Sequence, residues 1–575
     1  MTALKFDKFG GQIPAIDALL LPDQNAAYSQ DGFLQAGRLE PLAADIPIHT
    51  LVNPEARYAY RVPIANPSID NMTDSYWVEF DDADTTGVRS PVTDTAEGGL
   101  YYFANGGMLP VYTTKIRLRD GLPLLTLGMP APALAPTVTP SGGAVPTVTR
   151  GYVYTWVSSY GEEGPPSPPT LATGNTGATW ALSWASPTAP QLAGRTLTST
   201  RIYRTETGAD GVADFFFVTE LPIATLTFND NIDPDIVVSS ETLKSADWSA
   251  PPTDLQGLVS MPNGMIAGWR ENQVWFCEPY RPHAWPVKYT INVESQIVGL
   301  GTIDQSLMIL TRGQPYVATG IHPSTMALRQ VQPLEPCTSQ GSIVSTPGGV
   351  MYTSNNGLIL IGPGGGQNVT FDIIRKDDWL KLTNLQVLHA AWFMNGYYGF
   401  AGVVEDVFQA DTFQTDAFQQ NNFFASDKGF HISNDARLGF MTVTSETPTY
   451  NVMTDLWTGE LMVLRGGKVW HVDRRMYDPR RPYIWRSKLI QTNFKENFAA
   501  AKIYYTQPFG PPAGETLFKY YTDGVLRFTR PLPKSGTMFR LPSGFKTDFV
   551  QFELTGELMV YNMQIATSAR ELRER

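Results

Sequence analysis

The chain has 575 residues, of which 42% are hydrophobic, 12% aromatic and only 17% charged. This composition excludes an intrinsically disordered chain and, at this length, predicts several folded domains. The 43 basic and 55 acidic residues give a formal net charge of −12, which argues against a protein that grips nucleic acid through a general basic surface.

The sequence carries no pattern typical of a secretory signal or a membrane span. Asp7, Lys8 and Asp17 interrupt the N-terminal stretch, so it lacks the apolar run of a signal peptide. No apolar run reaches the roughly 18 residues of a transmembrane helix. Two cysteines, Cys277 and Cys337, are too few for a disulfide framework. We therefore expect assembly at a reducing site, with one isolated disulfide as the alternative.

Residues 1–130 begin with a stretch that Gly and Pro interrupt, which predicts an extended arm rather than a helix. Strand-like runs follow, such as DSYWVEF at Asp74–Phe80 and GLYYFAN at Gly99–Asn105. We expect this region to supply the arm, part of a β-rich platform and the first strands of a propeller. A linker rich in Pro, Ala and Thr at Met129–Val148 predicts a domain boundary.

Residues 131–250 have the pattern of a separate small β-sandwich. Aromatic and aliphatic residues alternate along two predicted strands, which places each set on one face. The sets are Tyr152, Tyr154 and Trp156, and then Trp180, Leu182 and Trp184. About seven short strands in roughly 100 residues is the size of an immunoglobulin-like sandwich. The order of Tyr, Trp, Gly and Pro here resembles a fibronectin type III module.

Residues 251–483 contain a weak internal repeat of a turn, an apolar run, a polar turn and a second apolar run. Ile266, Met308 and Met351 align at spacings of 42 and 43 residues, and Met462 is a weaker match. A strand-built period of about 40–45 residues is the signature of β-propeller blades. The repeat predicts a propeller, with hairpins in an open sandwich as the alternative. Strand patterns return in residues 484–575, which we expect to form a C-terminal platform with a charged tail.

The stretch Glu271–Pro286 brings together a thiol, a carboxylate and an imidazole, which are Cys277, Glu278 and His283. As neighbours on a strand, Cys277 and Glu278 point to opposite faces. A cysteine nucleophile needs a base within hydrogen-bond distance, and the local sequence supplies none. We therefore interpret the stretch as a strand followed by a stiff loop, and we expect no catalytic residue and no enzyme.

No metal or cofactor motif stands out in the sequence. No two of the six histidines are four residues apart, and none joins a cysteine pair at zinc spacing. The acidic segments Asp81–Gly87 and Asn229–Asp235 lack the distal Glu of a calcium loop and are predicted to be solvated turns. We therefore expect no metal and no cofactor.

Phenylalanine recurs every five residues in the segment 405–425, at Phe408, Phe413, Phe418 and Phe423. A period of five fits neither a helix nor a flat strand. One interpretation is a single coil of a pentapeptide-repeat β-helix, and the other is an exposed aromatic loop that docks on a neighbouring subunit. Exposed to water, these rings would form a large apolar patch, so both interpretations require a partner surface. The four residues are candidate subunit-interface residues.

Several segments together resemble the tail nozzle, or tail tubular, proteins of short-tailed bacteriophages. The resemblance spans most of the chain and includes the fibronectin-like insert. The other motifs that carry it are P-x-x-D-x-x-L-L-P-D-x-N-A at Pro14–Ala26, G-F-L-Q-A-G-R-L-E-P-L at Gly32–Leu42, V-W-F-C-E-P-Y-R-P-H-A-W-P at Val274–Pro286, T-F-Q-T-D-A-F-Q at Thr412–Gln419 and W-R-S-K at Trp485–Lys488.

The resemblance implies a virion structural protein that is assembled in the host cytoplasm and resides in the phage tail. Six copies would form a ring docked beneath an adaptor ring and the portal, and genomic DNA would be ejected through it. Duplex DNA would be passing cargo without tight binding, and no catalysis is implied. Two alternatives stay open: a carbohydrate-binding or carbohydrate-active propeller, and a tail protein that binds a receptor on the host cell surface.

Overall fold

The computed structural model describes residues 3–34, 37–64, 73–91, 98–188, 195–207, 213–332, 335–382, 384–401, 428–433, 439–445, 447–472, 479–508 and 514–573. Within these ranges β-strands dominate, and the α-helices are the short segments Lys115–Arg119, Pro234–Val238 and Lys376–Leu382. None of these helices has the length and apolar character that spanning a membrane requires. The fold class is mainly β, as the composition predicts.

Contacts divide the chain into two compact units. Unit 1 comprises Met1–Asp84, Met308–Val317 and Gln330–Arg575, and unit 2 comprises Thr85–Leu307 and Ala318–Arg329. The chain passes from one unit to the other within three strands, which are Ser306–Thr311, Tyr316–Thr319 and Ala327–Gln330, and the strand Ile297–Ile303 precedes them in unit 2.

Unit 1 contains a four-stranded antiparallel sheet whose last strand comes from the N-terminal region. The strand order is Thr449–Thr454, Leu461–Arg465, Lys468–His471 and Ile46–Thr50. Every side chain of the Leu461–Arg465 strand is buried. Gly466 and Gly467 both have positive φ and form the two-residue turn that follows it, a turn that L-residues with a Cβ rarely adopt. We call this sheet the shared blade, because two distant parts of the sequence build it.

Two further antiparallel sheets in unit 1 follow chain order. The first consists of Val344–Thr346, Gly349–Ser354, Gly357–Gly362 and Gly365–Asn368. The second begins with Leu388–Phe393, Gly396–Ala401, Lys428–Ser433 and Phe440–Thr444. Four antiparallel strands in this arrangement are the unit of a β-propeller blade. The other pairs of unit 1 are the strand Gly32–Phe33 with Glu40–Pro41 and the strand Tyr58–Pro63 with Ser75–Phe80.

The second of these sheets continues into a ten-stranded sheet. Beyond Phe440–Thr444 stand Ala26–Gln30, Tyr483–Ser487, Thr547–Gly556, Leu517–Thr522 and Val525–Pro531, with Ile490–Glu496 paired to Thr547–Gly556. Gln30 pairs in parallel with Thr442, while the same N-terminal strand runs antiparallel to its other neighbour. One N-terminal strand therefore joins a blade to the C-terminal strands.

A four-stranded sheet shares its core with the C-terminal part of the ten-stranded sheet. Its order is Ala3–Phe6, Met559–Ala566, Ala500–Thr506 and Met538–Arg540. Buried side chains of both sheets meet in one hydrophobic cluster that includes Phe6, Trp485, Phe518, Phe552 and Ile565. We call the strands between residues 483 and 566, with the N-terminal strand Ala3–Phe6 that pairs with them, the platform.

Two four-stranded antiparallel sheets of unit 2 flank a sandwich in sequence. One has the order Leu125–Thr126, Val111–Thr114, Leu100–Ala104 and Thr86–Arg89. The other has the order Gln256–Met261, Met265–Arg270, Gln273–Phe276 and Ile291–Asn292. Side chains of both sheets meet in one hydrophobic cluster that includes Tyr102, Tyr112, Leu258, Ile266 and Cys277.

A β-sandwich of seven strands lies in unit 2 between these two sheets in sequence. Its three-stranded sheet has the order Thr137–Ser141, Thr179–Ser183 and Thr227–Asp230. Its four-stranded sheet has the order Thr170–Thr176, Ala144–Ser158, Leu197–Thr207 and Ala213–Pro222. Both alternating sets of the sequence point into the core between these sheets, as their period of two predicts. The fibronectin type III identity of this sandwich stays a prediction.

The repeat positions of the sequence fall in equivalent strands. Ile266, Met351 and Met462 each lie in the second strand of a four-stranded sheet, and Met308 lies in the Ser306–Thr311 strand. All four side chains are buried. The prediction of β-propeller blades within a mainly β chain is therefore confirmed.

Candidate functional site

The thiol of Cys277 follows the Gln273–Phe276 strand and is fully buried. The backbone N–H of Ile266 donates to its sulfur at 3.0 Å. Burial raises the pKa of Cys277 to about 12, so the side chain is a protonated thiol at neutral pH. Because the thiolate is the nucleophilic form, this cysteine is held in its inert state.

Glu278 and His283 make separate structural contacts. Glu278 accepts a hydrogen bond from the Tyr289 hydroxyl at 2.9 Å. The His283 ring stands edge-on to Trp248 with centroids 5.6 Å apart, and burial lowers the pKa of His283 to about 3. Within the residues that the structure describes, no hydrogen bond links the side chains of Cys277, Glu278 and His283 to one another. The three groups are neighbours in sequence but form no nucleophile–base arrangement.

Within the described ranges, no group of three or more His, Cys, Asp or Glu is placed to hold a metal ion. The predicted interface residues Phe408, Phe413, Phe418 and Phe423 lie outside the described residues, and so does the whole segment 405–425. Their role as a subunit interface stays a prediction.

One end of the sandwich holds an open cavity of about 620 Å³. Arg150 supplies its positive charge, with Nε 3.6 Å from the Glu206 carboxylate and the guanidinium 5.1 Å above the Trp180 ring. The residues that line it are Val148, Thr149, Arg150, Thr176, Gly177, Ala178, Thr205, Glu206, Ala213, Asn231, Ile232, Asp233 and Pro234. Hydroxyl, amide and charged groups prevail in this lining, so the cavity suits a small polar ligand.

Glu206 connects this cavity to a buried ion pair in the sandwich core. Arg204 Nη1 donates to both oxygens of Asp230, at 2.8 and 2.7 Å, and Arg204 Nε donates to Glu206 at 2.8 Å. The Tyr152 hydroxyl also donates to Asp230, at 2.8 Å, and burial raises the pKa of Tyr152. The arrangement holds its charged groups in ion pairs and contains a phenol that stays protonated at neutral pH, which suits binding and rigidity.

The prediction of a solvated turn at Asn229–Asp235 is wrong for Asp230. Its side chain is fully buried because Arg204, also fully buried, neutralises it. A signal for this pair was present in the sequence. Arg204 stands two residues after Ile202 on one strand, so it faces the core, and a core-facing arginine requires a carboxylate partner.

We call residues 7–45, between the strands Ala3–Phe6 and Ile46–Thr50, the arm. The arm meets the W-R-S-K run on the platform. The Trp485 indole N–H donates to the Gly10 carbonyl at 3.0 Å. Lys488 Nζ donates to the Leu21 carbonyl at 3.0 Å and lies 2.6 Å from the Asp23 carboxylate. Two motifs that are remote in sequence thus form one contact site.

The arm also binds the blades of unit 1 through backbone hydrogen bonds. Gln12 and Phe440 exchange two of them, at 2.8 and 2.9 Å. The Ala15 N–H donates to the Ile373 carbonyl at 3.0 Å, and the Arg375 side chain donates to the Ala15 carbonyl at 3.0 Å. The arm is therefore bound to a blade and to the platform at once.

Charged side chains hold the end of the arm. Asp45 forms ion pairs with both Arg465 and Arg481, and all three side chains are largely buried. Asp31 accepts a hydrogen bond from the Thr444 N–H at 2.9 Å. One carboxylate oxygen of Asp45 is shared by the two arginines, so ion pairs link the end of the arm to two later segments of unit 1.

No protein-family model and no curated protein sequence matches this chain. Solved structures similar to parts of it include BBS1N in complex with ARL6DN, with 8% identity over 74% of this chain and 96% of that chain at a TM-score of 0.28. Saccharomyces cerevisiae Sqt1 is 9% identical over 65% of this chain and 92% of its own, with a TM-score of 0.25. The Neurospora crassa Pan2 WD40 domain is 8% identical over 54% and 86%, with a TM-score of 0.26. Likenesses this weak carry no argument, so the fold class rests on the sheets themselves.

Proposed function

We propose that this chain is a structural subunit of the tail of a short-tailed bacteriophage and forms a ring-shaped nozzle through which genomic DNA is ejected into the host. The contact between the arm motif at Pro14–Ala26 and the run at Trp485–Lys488 carries the proposal. Lys488 and Leu21 are 467 positions apart and share a hydrogen bond. Two of the motifs that carry the resemblance therefore contact each other in the folded chain. This contact supports the proposed function more strongly than the same motifs would if they lay apart on the surface.

The construction of unit 1 suits a conduit wall. Such a wall must keep its shape while a polymer moves along it. Ala26–Gln30 stands between a blade strand and a platform strand in one continuous sheet, and Ile46–Thr50 completes the shared blade. Backbone hydrogen bonds therefore tie the arm, the blades and the platform of unit 1 together, so these parts resist separation as a group.

The partners of the proposed nozzle are other copies of the chain in a ring of six, the adaptor and portal side of the tail, and duplex DNA as cargo. The net charge of −12 fits a wall that DNA passes without binding. Negative charge repels phosphates within a screening length of about 8 Å at physiological salt. In this proposal the protein is assembled in the host cytoplasm, resides in the virion tail and performs no catalysis.

Electron microscopy and mass measurement of the purified full-length protein test this function. We expect symmetric rings with a central opening and a mass that is six times the 63.5 kDa of one chain. In an electrophoretic assay at physiological salt, we expect no shift of duplex DNA. A protein that stays monomeric at every concentration, or one that binds duplex DNA with sub-micromolar affinity, would contradict the nozzle.

The sandwich cavity favours glycan binding as a second candidate function. Its volume of about 620 Å³ is within the range of small-ligand sites, and hydroxyl, amide and charged groups line it. A glycan array probed with the full-length protein tests this function. Binding that disappears in Arg150→Ala supports it, because Arg150 is the cationic group at the cavity wall. An array without any binding would contradict it.

A further inference from the structure

The strand Val525–Pro531 is the last strand of the ten-stranded sheet, and no described strand pairs with its outer side. Five of its seven side chains are exposed. Val525 and Leu526 are apolar, and about half of each side chain is accessible to solvent. An open edge of this length is a template for contact with another chain unless charge or a covering segment blocks it.

The same strand belongs to a segment that is unusually basic. Residues 524–547 contain no acidic residue and five basic ones, which are Arg527, Arg530, Lys534, Arg540 and Lys546. Four of these side chains are exposed and Arg530 is half-buried. In the described part of the chain, none of the five forms an ion pair with a carboxylate. We call Val525–Lys546 the basic strip.

Two aromatic rings hold arginines of the basic strip in place. The Arg527 guanidinium lies 5.0 Å from the centre of the Phe545 ring, and the Arg530 guanidinium lies 4.9 Å from the centre of the Phe539 ring. Cation–π contacts of this kind restrict the side chains without neutralising them. The strip therefore presents positive charge that is oriented and has no carboxylate partner in the described structure.

The remainder of the chain has the opposite charge. Residues 484–575 carry 13 basic and 8 acidic residues, a net charge of +5, whereas residues 1–483 carry 30 basic and 47 acidic residues, a net charge of −17. The segment 205–254 has ten acidic residues and a single basic residue. A basic strip on an acidic protein is complementary to other copies of the same protein.

The acidic segment presents a small knob on the sandwich. The short helix Pro234–Val238 exposes Asp235 and Ile236, with Ile236 63% exposed, and Asp233 precedes it. Asp233 and Asp235 form no ion pair with any described residue. We call Asp233–Ile236 the acidic knob. It combines two unpaired carboxylates with one exposed aliphatic side chain, as the strip combines arginines with Val525 and Leu526.

We propose that the basic strip of one copy docks on the acidic knob of a second copy. Opposite charges bring the two surfaces together, and contact between Ile236 and the apolar start of the strip removes apolar area from water. Because strip and knob are different surfaces, the contact is head-to-tail, and repetition of it generates a closed ring if the rotation closes. This contact rests on the proposed ring, in which the basic strip and the acidic knob would be the surfaces between neighbouring copies.

Charge reversal tests the contact on the full-length protein. Arg527→Glu with Arg530→Glu should raise the apparent Kd of self-association more than about tenfold at about 150 mM salt, because like charges then face each other. Asp233→Lys with Asp235→Lys should do the same. An equimolar mixture of the two variants should assemble again, since each strip then meets a knob of opposite charge. Mass photometry over a concentration series measures all three.

A matched control reverses two charges elsewhere. Lys376→Glu with Lys381→Glu changes the net charge by the same amount on the helix Lys376–Leu382, and we expect assembly as in the wild type. Strip variants that assemble like the wild type would overturn this inference and leave the ring intact. A wild type that never self-associates would overturn both. Binding of duplex DNA is a further measurement on the strip variant. If this variant loses DNA affinity while its assembly is unchanged, the strip is a nucleic-acid surface and the inference fails.

Discussion

Trp485 donates its indole N–H to the backbone carbonyl of Gly10 at 3.0 Å, across 475 positions of the sequence. The rings of Phe6 and Phe9 stand edge-on to the same indole, with centroids 5.9 and 5.0 Å away. The tryptophan is fully buried in the core of the platform. One side chain of the platform therefore fixes the beginning of the arm by both packing and hydrogen bonding.

Trp485→Phe should lower the free energy of unfolding by about 1–3 kcal/mol, because the Gly10 carbonyl loses its indole partner in a buried place. Trp485→Ala should cost about 3–5 kcal/mol through the added cavity. Denaturant titration followed by circular dichroism measures both. Phe494→Leu is the control, since Phe494 is 77% exposed and its change should stay within about 0.5 kcal/mol. A Trp485→Phe variant as stable as the wild type would contradict the role of this hydrogen bond.

Arg204→Met should destabilise the sandwich by about 3–5 kcal/mol, because it leaves the Asp230 carboxylate buried without its cation. Adding Asp230→Leu to Arg204→Met should recover part of this loss, since no unpaired charge then remains in the core. Thermal unfolding of the full-length protein is the measurement. Arg201→Met is the matched control: Arg201 sits in a partly exposed ion-pair group, and its loss should cost about 1 kcal/mol or less. Equal costs for the two arginines would argue against the buried pair.

His283 should make the fold sensitive to acid. Burial lowers its pKa from 6.5 to about 3, so between these pH values the unfolded chain binds a proton that the folded protein does not. This contribution to stability is present above about pH 6.5 and is lost as the pH falls towards 3. In His283→Phe the denaturation midpoint should fall less steeply than in the wild type as the pH decreases from about 6.5 to 3. Above pH 7 the midpoint should depend on pH in the same way in both proteins. Identical slopes below pH 6.5 would show that His283 does not titrate in this way.

The phenylalanine segment gives a prediction about assembly rather than folding. In the proposed ring, Phe413→Ser with Phe418→Ser should weaken self-association, because the predicted interface segment loses two aromatic anchors. The melting temperature of the monomer should be unchanged. Phe371→Ser is the control for an exposed phenylalanine elsewhere, since Phe371 is 76% exposed. Analytical ultracentrifugation gives the assembly state, and a double variant that fails to fold would place the segment in a core instead.

Local regularities made the blades and the sandwich core predictable. The repeat places a turn and two apolar runs in each copy, and Ile266 and Met351 consequently occupy equivalent strands. The alternation of Tyr152, Tyr154 and Trp156 likewise predicts their common face in the sandwich core. In both cases the hydrophobic pattern of one or two adjacent strands is enough to predict which side chains are buried, because this pattern has a fixed period in the sequence.

Contacts between distant segments were not predictable in the same way. The pairing of Gln30 with Thr442 cannot be read from the sequence pattern of either strand. Each strand alone is compatible with many partner strands. Asp230 lies in a stretch with the composition of a turn, and its burial follows only from Arg204 on another strand. Of the candidate sites, the sequence placed Cys277 at a strand end, but the cavity at Arg150 is lined by parts of several strands and their connections, which only the folded sandwich brings together.

The shared blade can be completed only late in the synthesis of the chain. Ile46–Thr50 is made early, and its partner Lys468–His471 emerges only after some 420 further residues, the separation of Asp45 and Arg465. At about 5–20 residues per second, this interval lasts roughly 20–80 s. Until then the early strand has no partner on its pairing edge. A chain that terminates before the late strand keeps this strand edge unpaired, and an unpaired edge is a template for aggregation.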